Sequence, residues 1–107
     1  MLYILSSENA SQINKILAKE PCVVFYYWSL CGYCQKIMPM WKRICKKYMH
    51  SKINIINVEV DQMQFLKAKY KKNISGVPSI IKYVRGKREE EFHDARTFQK
   101  LDEFVKK

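Results

Sequence analysis

Two cysteines separated by two residues, Cys31-Gly32-Tyr33-Cys34, are the sharpest chemical feature of this sequence. They follow a continuously apolar run, Cys22 to Trp28, and open a segment of helical periodicity. A Cys-x-x-Cys at a strand-to-helix junction inside a βαβ pattern reads as a redox pair. At the start of a helix, unpaired backbone N–H groups and the positive end of the dipole stabilise a thiolate. Cys31 is therefore the expected nucleophile. Cys34, a turn deeper, is the expected resolving thiol, with Gly32 permitting the tight approach. Zinc is the competing chemistry, with Cys22, Cys45 or His50 completing a site. No second Cys-x-x-Cys and no His-x-x-x-His is present, and Cys22 lies in an apolar strand. The pair could also be inert buried thiols, although Gly-Tyr at such a junction is an odd place for core packing. Cys22 and Cys45, each inside an apolar pattern, read as buried thiols.

A second feature is Ile74-Ser75-Gly76-Val77-Pro78-Ser79, just before a strand. A proline entering a central strand needs a special geometry. A cis Val77–Pro78 bond would supply one. As a bare pattern, an ordinary trans turn fits equally.

The elements that must position these residues follow from periodicity. Leu2 to Leu5 reads as a short strand. Ala10, Ile13, Ile16 and Leu17 have helical spacing, with Asn9 and Gln12 as a capping box. Glu20-Pro21 ends that helix, because the residue before proline is pushed out of the α region. Cys22 to Trp28 suits a strand buried on both faces. A helix is expected from Gly32 to about His50, kinked at Pro39. Ile53 to Val60 is a further central strand, and Asp61 is placed to cap a helix running to about Lys71 or Lys72. Ser79 to Val84 and Arg88 to Phe92 form a hairpin about Arg85-Gly86-Lys87. Phe98, Leu101, Phe104 and Val105 define a closing amphipathic helix. The order βαβαβαββα implies an α/β fold with a parallel portion, right-handed crossovers and an antiparallel end.

Composition bounds the rest. The 107 residues, 48% hydrophobic and 13% aromatic, supply one core, so a single domain over 1–107 is expected. Such a chain needs no disulfide staples. The longest apolar run falls far short of the ~20 residues of a membrane span. Met1 to Leu5 lacks the basic flank of a signal peptide and the C-terminus shows no retention signal, so the cytoplasm is the expected compartment. The net charge of +10 comes from 20 basic and 10 acidic residues. Its lysines are dispersed along the chain and outnumber arginines, which fits solvated faces better than a phosphate reader, so nucleic acid is not an expected partner.

Taken together, these residues resemble the thioredoxin family. The matching features are the strand–Cys-x-x-Cys–helix unit, Pro39 five residues after Cys34, and Asp61 after the third strand. Gly76-Val77-Pro78-Ser79 and the hairpin glycine Gly86 complete them. The likeness covers nearly the whole chain. It implies a central mixed sheet flanked by helices and thiol–disulfide exchange without a metal or organic cofactor. It also implies a cis Pro78 beside the cysteines, with the Val77 backbone pairing to an extended substrate. Gly76, Trp28 and Leu30 would border that substrate. Tyr33 in the motif and Phe92-x-x-x-Arg96 lean toward protein disulfide isomerase domains, where an arginine in the position of Arg96 approaches the resolving cysteine. An ordinary helix-start arginine is the alternative for Arg96.

Two departures stand out. The buried acid that the family usually carries six residues before the first cysteine is Phe25 here, and its usual lysine partner is Asn57. The tryptophan usual just before the first cysteine is Leu30. Losing the acid and lysine removes a proton relay to the resolving thiol while avoiding an unpaired buried charge. Glu59, two residues beyond Asn57, shares its strand face and could assist, as could water or Arg96. The expected function is a small monomeric dithiol–disulfide oxidoreductase acting on protein thiols and disulfides, whose reductase or oxidase partner the sequence does not name. A non-catalytic interaction subunit with a basic surface is the rival, and two intact thiols oppose it.

Overall fold

The computed structural model describes residues 1–72 and 74–107. Five strands form one mixed sheet in the order β1-β3-β2-β4-β5, with β1 Leu2–Ile4, β2 Cys22–Tyr27, β3 Asn54–Glu59, β4 Ser79–Val84 and β5 Lys87–Glu91. β1 and β2 both run parallel to the central β3, while β4 runs antiparallel to β2 and to β5. This is the mixed sheet flanked by helices that the resemblance to thioredoxins implied.

The alternation of side chains along β2 and β3 splits the core into two layers. Val24, Tyr26, Ile56 and Val58 face helix α1 (Ala10–Lys19) through Ile13 and Leu17. Val23, Phe25 and Ile55 face α2 (Gly32–Tyr48) and α3 (Phe98–Lys106) through Ile37, Trp41, Ile44 and Leu101. Both faces of β2 are covered, which is why its sequence is an unbroken apolar run.

Three local expectations change. Asn9 occupies the N-cap of α1 but makes no side-chain cap bond. Its Oδ1 accepts from Ser6 N–H at 2.9 Å and its Nδ2 donates to the Ile4 carbonyl at 2.8 Å, closing the preceding loop instead. The described residues between Asp61 and Lys72 form no α-helix. Two 3-10 turns, Val60–Phe65 and Ala68–Tyr70, take its place, and Asp61 lies inside the first. Asn14 of α1 explains the break. Its Nδ2 donates to the Phe65 carbonyl at 3.0 Å and its Oδ1 accepts from Lys67 N–H at 3.0 Å. A continuous helix would have paired both groups internally. Lys82, grouped with the dispersed surface lysines by sequence, is buried, and its Nζ donates to the Phe104 carbonyl at 2.7 Å, tying β4 to α3.

The hairpin turn is Arg85-Gly86, both with positive φ (49° and 82°), and Lys87 already belongs to β5. Two left-handed residues match the twist of the strands they join. Pro39 lies inside α2, as the spacing placed it.

Candidate active site

Cys31 is the N-cap of α2, with extended backbone at φ −85° and ψ 124°. That conformation turns its side chain back over the first helical turn. The Cys34 N–H donates to Cys31 Sγ at 3.4 Å, as a capping oxygen would receive it. The loop before it is fixed at several points. Cys31 N–H donates to the Trp28 carbonyl at 2.9 Å, and Gln35 Nε2 donates to the Ser29 carbonyl at 2.9 Å. Ser29 N–H donates to Glu59 Oε1 at 3.2 Å, while Glu59 Oε2 is buried with no hydrogen-bond partner among the described residues.

The two thiols are held in opposite environments. Cys31 is partly exposed, and its thiol reaches the Val77 carbonyl at 3.7 Å. Hydrogen bonds from Cys34 hold its pKa below the ordinary thiol value, and the Arg96 charge adds to that shift. Cys34 is 1% exposed. Burial pushes its pKa up to about 11, against the hydrogen bond that Trp28 N–H donates to its sulfur at 3.5 Å. Cys22 and Cys45 are buried and also raised, first by burial, Cys22 to about 12.

Tyr33 projects from the first turn, 65% exposed, with Arg96 Cζ 5.9 Å and Lys36 Nζ 5.7 Å from its ring centre. The Arg96 charge lowers the pKa of both Cys31 and Cys34. Leu30 (72% exposed) and Trp28 (40%) form an apolar rim. The Val77–Pro78 bond is cis, and Ser79 Oγ donates to the Gly76 carbonyl at 2.5 Å beneath that loop. Beside Cys34 opens a cavity of about 490 Å³, lined by Tyr27, Trp28, Ser29, Gln35, Met38, Pro39 and Lys42. Sequence patterning gave no sign of it, because its walls come from a strand end, a loop and a helix. Among the described residues, no three His, Cys, Asp or Glu side chains converge as metal ligands would.

One reason given for the motif does not hold. A Cβ at Gly32 would meet nothing within 4 Å, so the approach of the two thiols does not depend on glycine's size. Nor does Gly76 relieve a clash.

Behind the cysteines, Phe25 and Asn57 are direct cross-strand partners. Phe25 stacks on Tyr27 (ring centres 5.2 Å apart) and packs against Trp41 (4.8 Å). Asn57 Oδ1 accepts from Trp41 Nε1 at 2.6 Å, and its Nδ2 donates to the Tyr3 carbonyl at 3.4 Å. An aromatic and amide cluster thus fills the place of an acid–lysine pair. Two strands and a helix converge there, and every polar group named has a partner.

The Thioredoxin family model matches residues 3–107. The chain belongs to the thioredoxin family. A putative thioredoxin of Dictyostelium discoideum is 32% identical over 101 residues, covering 94% of this chain and 93% of that protein. A probable protein disulfide-isomerase A6 of Medicago sativa is 28% identical over 104 residues, covering 95% of this chain and 28% of its own length. This chain spans only 24% and 20% of the relatives in Drosophila melanogaster and Trypanosoma brucei brucei. The crystal structure of Fasciola hepatica thioredoxin superposes with a TM-score of 0.69 at 22% identity, over 99% of this chain and 97% of that one. That last likeness carries the thioredoxin fold alone. No helix among the described residues is long and apolar enough to cross a membrane.

Proposed function

We propose that residues 1–107 form one thioredoxin-like domain that exchanges a Cys31–Cys34 dithiol or disulfide with protein disulfides and thiols. The observation that carries this is the contrast between the two sulfurs. One is partly exposed with a lowered pKa, and its neighbour is buried with a raised one. Thioredoxin-family membership and the disulfide-isomerase names among the relatives support an oxidoreductase.

The Cys31 thiolate attacks one sulfur of a substrate disulfide. The substrate S–S bond breaks, a Cys31–substrate mixed disulfide forms, and the departing substrate thiolate takes a proton from solvent. Cys34 then loses its proton and attacks Cys31 Sγ, releasing the second substrate thiol and leaving a Cys31–Cys34 disulfide. Two electrons pass from protein to substrate, and the reverse sequence oxidises a substrate. In this reading the Val77 carbonyl, released from the Cys31 thiol when that thiol ionises, pairs with an extended substrate strand, with Leu30, Trp28, Gly76 and Pro78 at its border.

Turnover of insulin disulfides with dithiothreitol as reductant tests this. Wild type should accelerate reduction, and Cys31→Ser should abolish the acceleration. Acceleration that survives Cys31→Ser would refute the assignment. Alkylation provides a separate check on the sulfurs. At pH 7, iodoacetamide should label Cys31 at least ten times faster than Cys22, Cys34 or Cys45, because only the thiolate reacts. The pH midpoint for Cys31 should lie below that of a free thiol. Labelling led by any other cysteine in the native protein would overturn the order.

A further inference from the structure

The positive charge of this protein is not spread evenly over its ion pairs. No Asp or Glu occurs between Pro21 and Val58, or between Gln62 and Arg88. Those two stretches supply the Cys31–Cys34 motif, all of α2 and the Val77–Pro78 loop. Asp102, Glu103, Glu90 and Glu91 of α3 and β5 pair with Lys47, Lys106, Lys100, Lys107, Arg88 and His93. Among the described residues, Lys36, Lys42 and Arg96 take part in none of these ion pairs. Among the described residues, Glu59, Asp61 and Asp94 form no ion pair with Lys36 or Arg96. Lys36 and Arg96 thus belong to the uncompensated share of the net charge of +10, and both stand at the redox face beside Tyr33.

Lys36 and Arg96 both border the exposed Tyr33 ring. We propose that this protein prefers disulfides flanked by acidic side chains, which Lys36 and Arg96 recognise beside Tyr33. This rests on the disulfide-exchange reading above and names its substrate class. Two cations without an ion pair, each within 6 Å of the Tyr33 ring in the motif, raise the local concentration of an anionic segment and oppose a cationic one. Among the described residues neither cation has an acidic partner, so binding breaks no existing ion pair.

The test uses Cys34→Ser, which stops at the mixed disulfide, and three symmetrical peptide disulfides with Asp, Asn or Lys on both sides of cysteine. Each peptide's rate of adduct formation at Cys31 is divided by its rate with 2-mercaptoethanol, which removes the effect of the flanks on intrinsic reactivity. At low ionic strength the Asp peptide should react about 3–10-fold faster than the Asn peptide, and the Lys peptide slower by a similar factor. The spread should collapse toward unity near 0.5 M salt. Adding Lys36→Glu should remove most of the Asp preference while leaving the Asn peptide within about twofold. Lys52→Glu changes the net charge equally beyond the far end of α2 and should keep the preference. Equal normalised rates for the three peptides would overturn the proposal, as would equal effects of Lys36→Glu and Lys52→Glu. Charge-selective adducts without insulin turnover by wild type would defeat the oxidoreductase reading and leave the recognition intact.

Discussion

Phe25→Asp, which restores a carboxylate behind the cysteines, will destabilise the protein by roughly 4–6 kcal/mol at pH 8. Two costs combine. The Phe25 ring is fully buried between Tyr27 and Trp41, so shortening it leaves a void. The new carboxylate would have no cation beside it, because its cross-strand neighbour is Asn57. That amide is already engaged with Trp41 Nε1 and the Tyr3 carbonyl. Burial raises the folded-state pKa of the acid above its unfolded value of about 3.9. The charge-related loss is therefore smallest below that value and grows as pH rises through the folded pKa. Urea denaturation at pH 4 and pH 8 should show a larger deficit at pH 8, while Phe25→Leu should show a smaller, pH-independent one. A Phe25→Asp protein within about 1 kcal/mol of wild type at pH 8 would mean that water or a cation reaches this site. Adding Asn57→Lys should recover only part of the loss, since it supplies a counter-charge but orphans the Trp41 N–H.

The sequence resolved best what rests on local spacing. Cys22 to Tyr27 reads as a doubly covered strand because every side chain is apolar, and the sheet order places it between β3 and β4. The helix start at Gly32, with Cys31 beside it, was visible from the helical spacing of Ile37, Trp41, Ile44 and Tyr48. The segment after Asp61 was misjudged because its backbone is claimed by Asn14, more than fifty residues away in the chain. Nothing in the spacing of Met63, Leu66 and Tyr70 reveals that intrusion. Phe25 and Asn57 were legible as departures but not as a cluster. Their link runs through Trp41 of α2, and the register across β2 and β3 decides it. The uneven charge was countable in the sequence, yet the count could not tell paired from unpaired cations. Lys82 is spent in the core and Lys47 on Asp102, whereas Lys36 stands beside Tyr33.

Resolution by Cys34 will be slower than attack by Cys31 at neutral pH, and the two steps will differ in pH dependence. With a pKa of about 11, the Cys34 thiolate fraction at pH 7 is on the order of 10⁻⁴. Part of that elevation comes from the Cys31 thiolate itself and vanishes in the mixed disulfide, but burial, its largest cause, persists. The resolution rate should therefore climb about tenfold per pH unit between pH 7 and 9. Attack should level off earlier, because Cys31 ionises below the ordinary thiol value. No carboxylate stands at Phe25 to take the Cys34 proton, and Glu59 is not among the groups that shift the Cys34 pKa. Glu59→Gln should consequently leave the slope unchanged. The Arg96 charge lowers the Cys34 pKa, so Arg96→Ala should slow resolution about 2–5-fold. Rapid acid quench followed by mass spectrometry would count the mixed disulfide directly in wild type. It should accumulate at pH 7 and become scarce at pH 9. Resolution that outruns attack at pH 7, or a flat pH profile for it, would show that another group accepts the Cys34 proton.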